Sequence, residues 1–281
     1  MRKIIFIVFI SIVSACTSHD ANKVNVKESE SHYYLGLEFA QLNLFKNALE
    51  ELDLAIKFNP KNPLFYRKKG LVLFAVKRYD DALINFEKSI KLNPQDTQAH
   101  INLGIVQYAS GNKKEALINW EKAVALKKDD NDGKALNNIG NFYKADNNPK
   151  KAIEYYKKAV TFEPNNTTFL NNLGELYRLT GKLEEAEATL QKSLGVDPNG
   201  MLTQFNLGVL YNTKGETSKA IQSFQKSLQV NPNYLEAYYQ LATTHLKAKN
   251  KESAKFLLEK ALQVAPNNQK FKNLYDLVIA S

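Results

Sequence analysis

Apolar residues recur along this chain at helical spacing, in blocks such as ALINFEKSIKL (Ala82 to Leu92), and short polar runs separate the blocks. Two kinds of block alternate. One is built around a small residue: Gly36, Gly70, Gly104, Gly140, Gly174 and Gly208 step by 34, 34, 36, 34 and 34, and Ala242 takes the next place. The other centres on Ala48, Ala82, Ala116, Ala152, Ala186, Ala220 and Ala254, and closes on Pro60, Pro94, Pro164, Pro198, Pro232 and Pro266. Lys128 interrupts the proline series, and the period slips by two residues at KKDDND just around it. A fixed period of this length predicts stacked helix pairs. Its continuity argues for one solenoid with no room for a second domain.

Each slot has a physical reason. Gly and Ala let two helices cross closely. Phe39, Tyr143, Tyr177 and Tyr211, three residues after the glycine, fill the space toward the neighbouring helix. The prolines end the second helices, because Pro lacks an N–H and disfavours helix in the residue before it. Gly111, Gly181 and Gly215 stand between paired helices, where a left-handed cap suits a tight turn. Trp120 replaces Phe in the second-helix slot and reads as core.

These residues resemble the tetratricopeptide repeat (TPR) pattern: an aromatic, then Leu-Gly, Tyr, Ala, Phe and Pro at fixed offsets. Taking the glycine as the eighth position gives seven units: 29–62, 63–96, 97–130, 133–166, 167–200, 201–234 and 235–268. The resemblance implies an all-α fold, a right-handed superhelical α-solenoid of seven helix pairs. Departures are Lys69 for Leu, Ala242 for Gly and Lys128 for Pro. The tail 269–281, QKFKNLYDLVIAS, reads as the capping helix a solenoid requires, with Phe271, Leu274, Leu277 and Val278 at helical spacing. Leu274 and Leu277 are expected to bury against the seventh unit.

The first residues change the picture from a free array to an anchored one. MRKIIFIVFISIVSAC has two cations, then an apolar core too short to span a bilayer, which is the layout of a secretory signal peptide. Val13-Ser14-Ala15-Cys16 resembles the bacterial lipobox, and Cys16 is the sole cysteine of the chain. That resemblance implies a signal peptide over 1–15, acylation of Cys16, and attachment worth about 0.8 kcal/mol for each buried CH₂. Thr17, where Asp would signal retention, implies sorting to the outer membrane. The segment 16–28 lacks helical periodicity and is expected to be a flexible tether. The net charge is +9, two charges of which, Arg2 and Lys3, lie in the leader. The remainder describes a Lys-rich helical surface, with a weak preference for anionic partners.

No constellation for catalysis stands out. His32 and His100 take the fourth slot of their units and His245 takes the Tyr slot, so three histidines read as packing; His19 lies in the tether. No Cys–His pair, phosphate-binding glycine loop or metal-ligand spacing occurs. Glu184-Glu185 and Asp80-Asp81 read as helix starts that favour the dipole. The expectation is a protein that is not an enzyme, takes no cofactor or metal, and does not bind nucleic acid.

The TPR resemblance places six positions of each first helix on a concave face. The sixth is Tyr34, Lys68, Asn102, Asn138, Asn172, Asn206 and Gln240 along the chain. Each carboxamide offers a donor and an acceptor, the pair that one peptide unit needs. The row resembles the asparagine ladder of the O-linked N-acetylglucosamine transferase superhelix, which implies binding of an extended peptide backbone. The same slot holds Asn commonly in the family as consensus. Around the row stand Asn137, Asn141, Lys144, Asn171 and Arg178, the basic Arg67 and Lys68, and the aromatic Tyr108, Phe205 and Tyr239. The expected function is a lipid-anchored scaffold or adaptor, facing the periplasm, that holds a segment of a cell-envelope protein. Two alternatives remain open: a pilotin-like assembly factor for type IV pilus or secretion machinery, and a self-associating structural solenoid, that is, a homo-oligomer.

Overall fold

The computed structural model describes residues 25–126 and 132–280. Among these residues there are fifteen helices and no strand. The first helices of the pairs are α1 (25–41), α3 (Pro63–Ala75), α5 (Thr97–Ala109), α7 (Asp132–Ala145), α9 (Thr167–Leu179), α11 (Met201–Lys214) and α13 (Leu235–Lys247). Their partners are α2 (Phe45–Phe58), α4 (Tyr79–Leu92), α6 (Lys113–Leu126), α8 (Pro149–Phe162), α10 (Leu183–Val196), α12 (Thr217–Val230) and α14 (Lys251–Val264). A last helix, α15, runs over Gln269–Ala280. Cys16, the leader, residues 17–24 of the tether and residues 127–131 around the slip lie outside the described residues.

The repeat dictates how each pair closes. The second-helix alanines, from Ala48 to Ala254, are fully buried at the crossing. Opposite them the glycines allow contact that a side chain would block. A Cβ on Gly104 would stand 2.5 Å from Nε1 of Trp120, and one on Gly208 would stand 2.6 Å from the Phe224 ring. The second helices stop at Asn59, Asn93, Asp197 and Asn231, each one residue before a proline and each out of the helical region. Asn62, Asp96 and Asn166 then cap the next first helix by accepting its free N–H groups.

The seven turns within pairs share one backbone state. Gly111, Gly181 and Gly215 take positive φ, and so do Asn43, Lys77, Asn147 and Lys249 at the same place in the other pairs. The left-handed residue is thus a property of the turn, and glycine fills it in three of the seven cases.

Three features differ from the sequence reading. First, residues 25–28, assigned to the tether, are helical and belong to α1; the Ser29 hydroxyl donates to the Val26 carbonyl at 2.8 Å. Second, the chain divides into two compact units, Met1–Ala135 and Leu136–Ser281, in place of one undivided array. Third, α15 buries Phe271, at 2% exposure, and Val278, while Leu277 is 67% exposed. Phe271, Leu274 and Val278 are spaced three and four apart and form one stripe, and Leu277 falls off it.

Candidate functional site

The clearest candidate lies in the second unit, between α9 and α11. Asn172 and Asn206 sit one period apart, and both are half-buried, although an open ladder would leave them exposed. The Asn172 amide donates to Oδ1 of Asn137 at 2.8 Å, and the Asn206 amide donates to Oδ1 of Asn171 at 3.1 Å. The carboxamide row is therefore tied to a second row at the preceding position. Asn137 and Asn171, read from the sequence as neighbours in the groove, are largely buried, and Asn171 still lines the pocket between α9 and α11. Asn171 also donates to the Thr167 carbonyl, the Ser193 hydroxyl and the Thr203 hydroxyl, at 2.8, 3.2 and 2.9 Å.

This network makes a stability prediction. Asn171→Ala removes bonds to Ser193, Thr203 and Asn206 at once, leaving the two hydroxyls only each other at 3.0 Å, and should cost about 1–3 kcal/mol in chemical unfolding. Arg178→Ala should stay within about 0.5 kcal/mol, the usual range for a surface site, because Arg178 makes no side-chain bond among the described residues. Equal effects would show that the Asn171 network does not hold α9 to α10 and α11.

The rungs do not extend along the whole row. Asn102 and Asn138 are half-buried and make no side-chain hydrogen bond among the described residues. Gln240 turns back onto its own helix, donating to Glu236 at 3.2 Å. The position before it in the preceding unit is Phe205, which offers no acceptor in its side chain.

Where two rungs do form, the surface opens into a pocket of about 410 Å³. Thr168, Asn172, Glu175, Leu202, Asn206 and Tyr234 are among its lining residues, with Phe205 as a wall. Phe205 is braced edge-on by Tyr234 at 5.1 Å and against Phe224 at 5.8 Å. Glu175 is held by Lys144 at 2.7 Å. Each rung uses one amide hydrogen, which leaves the carbonyl oxygens of Asn172 and Asn206 for an incoming N–H.

The other groove residues are committed in varied ways. Arg67 pairs with Asp96 at 2.9 Å, largely buried, and so fastens α3 to the cap of α5. Lys68 has no ion-pair partner among the described residues; burial, then repulsion from Arg67, hold its ammonium pKa below the usual lysine value. Asn141 accepts from the Tyr156 hydroxyl at 2.6 Å. Tyr108 packs on Trp120 at 5.8 Å with Lys113 over its ring. Tyr239 is covered by the last helix, with the Lys270 amine 3.5 Å from its ring centre and Phe271 edge-on at 6.3 Å.

Of the histidines, His100 is buried, its ring nitrogens 3.2 Å from Asn119 Oδ1 and from the Pro94 carbonyl, and His32 meets Glu51 at 2.6 Å while stacking on Phe58. His245 differs from its reading as a packing residue: it lines an open groove between α12 and α14. Among the described residues no group of three or more His, Cys, Asp or Glu could hold a metal ion, and no helix is long and apolar enough to cross a membrane.

Helix pairs that present a polar, aromatic-walled row on their first helices define a helical-repeat scaffold. Family models described as tetratricopeptide repeat match residues 133–166, 166–232 and 213–277, and one described as TPR repeat matches 70–111. The chain belongs to the tetratricopeptide repeat family, whose repeats serve protein–protein interaction. No curated protein matches it. Among solved structures it is similar to a chain of the APC/C hetero-tetramer Cut9–Hcn1, at 18% identity and TM-score 0.68, covering 92% of this chain and 48%, about half, of that one. A tetratricopeptide repeat protein from Parabacteroides merdae shows 18% identity and TM-score 0.66, with 90% and 99% of the two chains covered. Pseudomonas aeruginosa pilF shows 19% identity and TM-score 0.63, with 75% and 96% covered. At these identities the likeness establishes the fold alone.

Proposed function

We propose that this protein is a lipid-anchored scaffold that holds an extended peptide segment of a cell-envelope protein against the face formed by α9 and α11. The observation that carries the reading is the pocket at Asn172 and Asn206. It combines carbonyl oxygens fixed in position by the rungs, an aromatic wall at Phe205, and enough room for a side chain. Fixed acceptors spare a ligand the cost of ordering them, so they favour backbone recognition. The lipobox at Cys16 and the place of Thr17 support anchorage in the outer membrane, facing the periplasm.

The test has two arms in native cells. A palmitate analogue should label the chain and fail to label Cys16→Ala; equal labelling sinks the anchor. A photo-crosslinker at Leu202, in the pocket, should capture a defined segment of an envelope protein, and one at Ile84 on α4 should not. The captured segment, made as a peptide, should bind the Asn172→Ala/Asn206→Ala variant more weakly by about 1–3 kcal/mol, one net hydrogen bond for each side chain. Unchanged affinity would move the site elsewhere.

A further inference from the structure

One period apart, two equivalent junctions of the second unit are finished differently. At the junction of α10, α11 and α12, Tyr211 closes the groove from within. It is 6% exposed. Its hydroxyl accepts from Nε2 of Gln191 at 3.2 Å and donates to Oε1 of Glu187 at 3.1 Å. Thirty-four residues on, at the junction of α12, α13 and α14, the carboxamide is kept as Gln225, but the phenol becomes His245 and the carboxylate becomes Ile221. There the groove is open, with a volume of about 860 Å³. Its walls have changed in the same direction. Gln204, Gln222 and Ser223 of the closed junction correspond to Tyr238, Phe256 and Leu257 of the open one. Phe256 is 57% exposed at the edge of this space, with the Lys260 amine 5.6 Å from its ring centre.

We propose that this groove, which shares no lining residue with the Asn172–Asn206 pocket, binds a tyrosine side chain presented by a partner polypeptide. The occupant is defined by what fills the same place one repeat earlier. Leu228, Leu241, Tyr238 and Leu257 form an apolar bed for the ring. Gln225 donates to the phenol oxygen as Gln191 does to Tyr211. His245 accepts the hydrogen bond of the phenol O–H in place of Glu187. Burial holds the His245 pKa below the usual histidine value, so its imidazole is neutral at pH 7 and has a lone pair to accept with. A tyrosine carried on a polypeptide is the source the comparison supports, because Tyr211 itself reaches the closed junction from a helix laid along it. The open groove continues the closed junction in register and is the next place for the same contact.

The experiment titrates the full chain with N-acetyltyrosinamide, N-acetylphenylalaninamide and 4-methylphenol, following the His245 imidazole and Gln225 amide signals by NMR. The tyrosine amide should bind saturably and at least about fivefold more tightly than the phenylalanine amide, the ratio expected for one net hydrogen bond. Gln225→Leu should erase that preference and leave binding of the phenylalanine amide in place. His245→Tyr restores the phenol the array uses elsewhere, so it should keep or raise the melting temperature and abolish binding. Should that variant misfold, Phe256→Ser, at an exposed site, should weaken tyrosine-amide binding at least about fivefold, by removing apolar contact area. Absence of saturable shifts, equal affinity for the two amides, or binding that survives His245→Tyr overturns the proposal. Binding of 4-methylphenol without the tyrosine amide overturns the polypeptide source.

Discussion

Phe271→Ala lowers the stability of the second unit by about 3–5 kcal/mol, the range for removing a fully buried aromatic side chain. Leu277→Ala, six residues on in the same helix, changes it by less than about 0.5 kcal/mol. Phe271 enters the cluster of Ala242, Ala254, Leu258 and Ala261, and it also meets the Tyr239 ring. Its loss opens a cavity between α13, α14 and α15, and it loosens the cover over Tyr239. Chemical unfolding followed by far-ultraviolet circular dichroism, with hydrogen exchange to report on α13 to α15, separates this local loss from a global one. Comparable losses at both residues would mean that α15 is seated on its other face.

Trp120→Ala costs a similar amount, about 3–5 kcal/mol, in the first unit. The indole is 3% exposed, it lies against Gly104, and its Nε1 donates to the Ile101 carbonyl at 3.1 Å. Trp120→Phe costs less, because Phe86 and Phe224 fill the same slot in other pairs. The partner residue gives a sharper check. Gly104→Ala alone overpacks the crossing and costs about 1–3 kcal/mol. In the Trp120→Ala background the same change enters empty space and costs little. Non-additivity of that size in a double-mutant cycle establishes direct contact. Simple additivity would place the indole elsewhere.

The fold was legible from the sequence because the constraints that set it are local and repeated. Small residues mark the crossings, a proline follows six of the seven second helices, and the hydrophobic spacing is helical in each. The left-handed turns were legible where glycine marks them and hidden at Lys77 and Lys249, since a turn can impose that state on a side chain that does not advertise it. The face of α15 was hidden for a related reason. Four apolar residues compete for one stripe, and the surface of α13 and α14 selects among them.

The candidate site was legible as a row of types and not as a set of roles. Asn171 and Asn172 are identical neighbours in the sequence, yet one is a buried hub of four side-chain bonds and the other a half-exposed rung. Arg67 and Lys68, two adjacent cations, divide in the same way between a largely buried ion pair and an ammonium with no ion-pair partner among the described residues. Successive helix residues differ in direction by about 100°, so which of two neighbours meets the adjacent helix depends on how the helices are rotated against each other.

By itself the sequence determined the repeating helix pair and the small residues at its crossings. Those follow from steric and covalent rules acting over a few residues at a time. The tertiary structure decided which carboxamides are consumed by the stack, where a pocket opens at Asn172 and Asn206, and why His245 borders a groove that Tyr211 closes one period earlier. Those outcomes depend on volumes and hydrogen bonds shared among three helices, and they exist only once the helices have packed.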